Sequence, residues 1–240
     1  MCNVNTFSFF RGQTVGPRVE RVWHDVRLRS VKVIDVEHVT PAMVRVTFAG
    51  DELHDFRSLA PDDHLKIFVA TPSGEIAKRD YTPRRHDSLA GTLVIDFAIH
   101  EASPAARWAL GAQPGQTIQI GGPKSSTVIA PIVERWLLIG DESALPSIGR
   151  RIEEARAGIH ITGIVAVANR AEEQRFDTWA TLDMHWVHRP LCKATSVDAL
   201  LLAAWPLRVE PDTYLWIAGE ASMVRAMRTH FVKHCAHPNG

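Results

Sequence analysis

Cysteine is scarce in this chain, and the three present, Cys2, Cys192 and Cys235, are scattered, odd in number and without CxxC spacing. That excludes a disulfide framework and a thiolate zinc site, and points to a reduced compartment. Net charge is lacking too, with 27 Lys and Arg against 27 Asp and Glu. Neither nucleic acid nor an anionic membrane surface is therefore expected as a general partner, and any basic site must be local. No run approaches the roughly 18 apolar residues of a membrane span. The opening "MCNVNTFSFFRGQTVG" lacks the basic region and long apolar run of a signal peptide, so a cytoplasmic protein is expected. The chain has no G-x-G-x-x-G fingerprint, Walker loop, G-x-S-x-G elbow or HExxH pair, and the chemistries those motifs carry lose their usual signature.

What is present is an ordinary globular composition, 45% hydrophobic and 22% charged over 240 residues, long enough for one large domain or two modest ones. The first half reads as short strands. "MVRVTFAG" alternates with Val44, Val46 and Phe48 on one face, and "VKVIDVEHV", "LKIFVA", "LVIDFAI" and "TIQI" repeat the pattern. Turn signals at Pro41, Gly50, "TPSGE", "LAGT" and "QPGQ" space them as an antiparallel barrel or sandwich requires. One helix interrupts the series: "SPAARWALG" has a capping Ser103, Pro104 at its first position and Gly111 at its end. From "APIVER" onward the texture changes. Apolar strands "WLLIG", "ITGIVAVA", "MHWVHR" and "YLWIAG" alternate with helical segments, as in a parallel sheet covered on both faces. The expected division is a loose tail over residues 1–16, a β domain over 17–130 and an α/β domain over 131–240.

Five stretches are candidates for chemistry. In "RDYTPRRHD", an extended backbone sets Arg79 and Tyr81 on one side with the Thr82 hydroxyl beside them. Such a trio suits a flat, phosphorylated ligand, and the segment equally suits an edge strand running into the turn at Pro83. Asp141, Glu142 and Glu220 lie where parallel strands give way to helices; they could meet a ligand there or cap the helices. In "IGGPKSS", glycines allow close backbone approach beside Lys124, or the segment is an interdomain turn. "APDDHLKIF" offers Asp62, Asp63, His64 and Lys66. Adjacent strand residues point apart, which favours a hydrogen-bonded turn over a metal site. His185 and His188, three apart in a strand, face opposite sides and make no metal pair.

In order along the chain, "RVWHDVRLRSVKV", "LAPDDHLKIF", "RDYTPRR", "IDFAIHEASPAARWA", "PGQTIQIGGPKSS", "GDESALPSIGRRIE" and "YLWIAGEASMVRAMRTHF" resemble the siderophore-interacting protein family of ferric-siderophore reductases, within the ferredoxin-reductase-like superfamily. The resemblance spans most of Pro17 to Phe231. It implies an N-terminal Greek-key β-barrel that binds FAD, followed by an α/β domain that accepts NADPH or NADH. By that resemblance Arg79 pairs with the flavin pyrophosphate, Tyr81 lies against the isoalloxazine ring and Thr82 bonds near its reactive nitrogen. His100, Ala105 and Ala106 approach the pyrophosphate. Glu142, Ser143, Gly219 and Glu220 line the nicotinamide side, while Lys66 and Lys124 form a basic pocket for an anionic ferric siderophore. No metal ligands in the protein are expected. Arg170 in "VAVANR" is the residue available for a 2′-phosphate. The chain departs from the family in having "GPKSS" for "GPRGS", in lacking glycines in "EASPAA", and in ending at "CAHPNG" where many members continue into a Gly-Tyr-Trp segment. That ending leads us to expect a more open site. A flavin reductase using another acceptor, or a siderophore-binding protein without turnover, are the alternative readings.

Overall fold

A computed structural model of the chain describes residues 5–11, 18–71, 74–99, 103–190, 196–207, 209–210 and 212–235, with the backbone alone for 5–11 and 234–235. The chain divides into two compact units, Val19–Val128 and a second that joins Met1–Arg18 to Ile129–Gly240. The strands, in order, are β1 (Asn5–Arg11), β2 (Val19–Trp23), β3 (Leu28–Thr40), β4 (Met43–Ala49), β5 (Leu65–Ala70), β6 (Ile76–Tyr81), β7 (Arg85–Asp87), β8 (Thr92–Ala98), β9 (Thr117–Gly121), β10 (Ser125–Ile129), β11 (Arg135–Gly140), β12 (His160–Val167), β13 (Thr181–His188) and β14 (Thr213–Gly219). The helices are α1 (Pro104–Leu110), α2 (Leu145–Glu153), α3 (Asp198–Ala204) and α4 (Ala221–Cys235).

In the first unit, seven antiparallel strands run in the order β6-β5-β9-β3-β4-β8-β7, and β10 pairs with β2 in a separate ribbon. The two edges of the seven-stranded sheet, β6 and β7, are joined through Thr82–Arg84. A sheet whose edge strands lie three residues apart in the chain must curl until its edges meet, so this is a barrel closed at that seam by the chain itself. Irregular pairing between β3 and β4, at Val33/Asp35 and His38/Thr40, supplies the bends such curling needs. The alternation read from the sequence is realised: Val44, Val46, Phe48, Ile67, Ile95 and Phe97 are fully buried in one core. α1 packs on β4, β5, β6 and β8, with Ala105 and Ala109 in that core and Trp108 stacked 6.2 Å from Phe48. Its ends are as expected, since Ser103 Oγ accepts the Ala106 N–H and Gly111 closes it.

The second unit is a five-stranded sheet in the order β1-β14-β11-β12-β13. The β11–β14, β11–β12 and β12–β13 ladders are parallel. β14 is buried along its whole length, as a strand covered on both faces must be. Gly140 ends β11 where a Cβ would fall 2.8 Å from Ala144 and Ile148, so its bare backbone lets α2 close on the strand. The segment expected as a loose tail contains β1, which adds antiparallel to the edge of β14 from Asn5↔Gly219 to Arg11↔Thr213. "NTFSFFR" has strand-forming residues, but its partner lies some two hundred residues away and no local pattern announces it. The division also falls at Val128/Ile129, slightly ahead of the expected boundary.

Candidate functional site

The "RDYTPRR" segment lies at the barrel seam. β6 pairs with β5 so that Tyr81 opposes Leu65 and Arg79 opposes Ile67, both buried, whereas Asp80 opposes the exposed Lys66. Opposed residues of a ladder share a face, so Arg79 and Tyr81 stand half-buried on one side, as the alternation predicts. The Tyr81 ring rests 4.5 Å from Phe97, tilted by 41°, which fixes the plane it presents. Arg79 Nη1 donates to the Lys78 carbonyl at 2.8 Å. The rest of that guanidinium makes no hydrogen bond or ion pair among the described residues, leaving donors for a phosphate. Thr82 is buried beside them.

Arg84 explains why the motif continues past Pro83. It is 3% exposed, its amide donates to Val94 O at 2.9 Å, and its Nε lies 3.4 Å from the Asp96 carboxylate. Asp96, itself buried, also receives Arg45 through two bonds of 2.7 and 2.8 Å. One buried carboxylate between two guanidiniums leaves one positive charge over, which Glu37 meets at Arg45 at 3.4 Å, and the cluster pins the seam on which Tyr81 and Arg79 sit. At α1, Ser103 Oγ already takes the Ala106 N–H at 3.4 Å; of the two expected backbone donors, the N–H of Ala105 has no bond among the described residues. His100 lies outside the described residues.

The two expected substrate lysines have separate partners. Lys66 Nζ pairs with Asp80 Oδ1 at 2.8 Å, on the face opposite Tyr81. Lys124 is exposed, with Nζ 5.6 Å from the centre of the Trp23 ring. Nearby Asp63, 2% exposed, accepts from Ser58 Oγ at 2.9 Å, Ala60 N at 3.3 Å and Ser126 Oγ at 2.5 Å. The "PDDH" carboxylate thus builds a turn, and among the described residues no group of His, Cys, Asp and Glu side chains is placed to hold a metal.

In the second unit, the carboxyl ends of β11 and β14 are joined by Asp141. Its Oδ1 accepts from Ser143 N at 3.0 Å and from the Ser143 hydroxyl, and its Oδ2 accepts from Glu220 N at 2.9 Å. This reach requires Gly219: its φ is 145°, and a Cβ there would fall 2.5 Å from Asp141 Oδ2. Glu220 bonds the amides of Ser222 and Met223 and the Ser222 hydroxyl. It caps α4, and those bonds, the Ser222 hydroxyl foremost, hold its carboxyl below the usual range. Glu142 does not cap. It pairs with buried Arg189 at 3.0 Å, while burial, with the adjacent Asp141 charge, pushes its carboxyl above the ordinary value. Asp141 as a bridge and Arg189 as the partner of Glu142 were not expected from the sequence. The position of Arg189 at the carboxyl end of β13 is the signal that could have found it.

Comparison with known proteins covers both units. The siderophore-interacting FAD-binding domain model matches residues 32–78 and 75–127, and the siderophore-interacting protein model matches 133–239. The NADPH-dependent ferric-chelate reductase of Escherichia coli (strain K12) is 29% identical over 88% of this chain and 89% of its own length. A ferric acinetobactin reductase of Acinetobacter baumannii is 24% identical over 87% of this chain and 74% of its own. The crystal structure of a siderophore utilization protein from T. fusca superposes with a TM-score of 0.86 at 31% identity, covering 93% of this chain and 92% of that one.

Proposed function

The chain belongs to the siderophore-interacting protein family, and on that premise we propose that it is a ferric-siderophore reductase, carrying electrons from NADPH or NADH through FAD to chelated ferric iron. The observation that carries this reading is the placement of Arg79 and Tyr81 on one face of the barrel seam, with guanidinium donors left open beside a ring held by Phe97. These residues fit a flavin dinucleotide: a fork of N–H donors for its pyrophosphate, an aromatic plate for its ring and, next in the chain, the buried Thr82. FAD, when bound, supplies acceptance of a hydride and release of electrons one at a time.

The rest is positioning by this chain's own groups. Arg79 and the Ala105 N–H hold the pyrophosphate, with Ala106 held close behind by the Ser103 cap; the resemblance adds His100. Tyr81 and Thr82 orient the ring. Glu142, Ser143, Gly219 and Glu220 line the nicotinamide side, with Asp141 fixing the two turns that carry them. Arg170, exposed after β12, is offered to a 2′-phosphate, in keeping with the NADPH named for the E. coli relative. Lys66 and Lys124 are offered to an anionic chelate, Lys66 by leaving Asp80. Hard oxygen donors hold ferrous iron less well than ferric iron, so reduction loosens the metal without any protein ligand to it. No helix among the described residues is long and apolar enough to cross a membrane, and the reading places the reaction in the cytoplasm.

Anaerobic titration tests this. Purified protein should be yellow, bleach with NADPH or NADH, and regain its colour when a ferric siderophore is added. Bleaching without reoxidation by any ferric chelate would replace the reading with a flavin reductase of another acceptor. Colourless protein that binds chelate would replace it with a binding protein.

A further inference from the structure

Within the Val19–Val128 unit, an open cleft of about 380 Å³ is lined by Trp23, His24, Asp25 and Arg57 around the Arg27, Arg29 and Asp55 side chains. Its charges are unevenly satisfied. Asp55 is shared by Arg27 at 2.7 Å and Arg29 at 2.8 Å, and the Arg29 hydrogen bond holds its carboxyl below the usual range. Arg29 also donates to Glu52 O at 2.9 Å, so these three groups form the floor. Arg57 has no ion pair or hydrogen bond among the described residues, and neither does Asp25. Three guanidiniums against two carboxylates leave the cleft positive before any contribution from His24.

His24 is held in one orientation. Its Nε2 lies 2.7 Å from Ser126 Oγ. Ser126 has a single hydroxyl proton, directed to Asp63 Oδ2 at 2.5 Å, and its oxygen already accepts Leu59 N–H at 3.1 Å. Nε2 must therefore be the donor, which fixes the tautomer. Nδ1 has no partner among the described residues and is the ring nitrogen left for a ligand. It can accept from a hydroxyl when the ring is neutral and donate to an anionic oxygen when the ring is charged. Next to it Trp23 is 62% exposed, with Arg21 Cζ 5.1 Å and Lys124 Nζ 5.6 Å from its ring centre. An exposed indole with cations over it, beside an uncommitted guanidinium and an oriented imidazole, matches a ligand that is both aromatic and anionic.

We propose that this cleft receives a catecholate arm of the ferric chelate, stacked on Trp23, with its oxygens met by Arg57, Lys124 and His24 Nδ1. Asp63 and Ser126 are positioning residues that act through His24. A hydroxamate arm lacks the ring and brings one negative charge where a catecholate brings two, and should not use the cleft. The proposal rests on the reductase reading for the iron complex, but binding in the cleft needs no turnover.

The test therefore uses redox-inert gallium(III), with the tris-catecholate complex and the desferrioxamine B complex titrated calorimetrically into the full chain. The tris-catecholate should bind about tenfold or more tightly than the hydroxamate. Trp23→Ala and Arg57→Gln should each weaken it about tenfold. His24→Gln keeps an N–H for Ser126 but loses Nδ1, and should weaken it several-fold. Hydroxamate binding should be the same in all of them. Arg57→Gln, at an exposed position, decides the matter if Trp23→Ala fails to fold. Equal affinity for the two complexes, or tris-catecholate binding unmoved by Arg57→Gln, overturns the proposal. Selective gallium binding in a protein that NADPH and NADH fail to bleach would sustain the cleft while overturning the reductase reading.

Discussion

In the barrel, Arg45 on β4, Asp96 on β8 and Arg84 beyond β6 join distant stretches of chain through one buried carboxylate. In the α/β unit, Asp141, Glu142, Glu220 and Arg189 gather instead at the carboxyl ends of parallel strands, where backbone amides are free to be bonded. The first arrangement is internal bracing behind the face that bears Arg79 and Tyr81; the second ties together the strand ends proposed above as the nicotinamide side. Charge in the barrel should therefore govern whether the fold stands, and charge in the α/β unit should govern local geometry and titration.

The largest effect expected of that contrast is at Asp96. Asp96→Ala leaves the Arg84 and Arg45 guanidiniums without their shared carboxylate and should cost about 3–5 kcal/mol, read by urea denaturation as loss of the barrel transition. Asp141→Ala should cost less, about 1.5–3 kcal/mol for bonds to a charged acceptor. Its signature is faster amide exchange at Ser143 and Glu220; if exchange there stayed slow, the bridge would not be what holds the turns. Arg79→Ala removes a side chain whose described bond is to a neighbouring carbonyl, so stability should move by no more than about 0.5 kcal/mol while the flavin Kd rises about tenfold. Replacing Lys66 and Lys124 together with alanine should raise KM for an anionic ferric chelate with flavin content intact; unchanged kinetics would reject both as substrate contacts.

The smallest effect is a slope. Folding raises the Glu142 pKa, so as pH rises the unfolded chain releases that proton first and the folded state holds it longer. Stability from this site is therefore full below the ordinary glutamate range and falls as pH climbs toward the raised value. Glu142→Gln should remove that fall, and its stability relative to the parent should improve with pH through the window. A difference that worsens with pH would mean attraction to Arg189 outweighs burial and the Asp141 charge, and a flat one that it cancels them.

Much of the barrel was legible because its signals are local. Alternation gave the faces of β4, β5 and β8, and Ser103, Pro104 and Gly111 gave α1 both of its ends. The shared face of Arg79 and Tyr81 followed from a period of two. The reading of Asp62 and Asp63 as a turn also held, although Ser126 as the partner, 63 positions on, had no local sign. What escaped was long-range in the same sense. β1 needed the free edge of β14, Arg189 needed Glu142, and the fixed tautomer of His24 needed Ser126 on β10 together with Leu59 and Asp63 from the loop before β5. Lys66 shows the other limit. Its place beside "DDH" is plain in the sequence, but only the β5–β6 register reveals that it stands with Asp80, behind the strand that bears Tyr81.

The seam between β6 and β7 has a mechanical consequence. Along that line the ladder between neighbouring strands gives way to the covalent segment Thr82–Arg84, whose Arg84 amide is bonded to Val94 O at 2.9 Å, so the two edges are tied by chain and by bonds of that segment. A strain applied at Thr82 is passed along two residues to the buried Arg84–Asp96 pair, so the closure of the cuff and its clasp should loosen together.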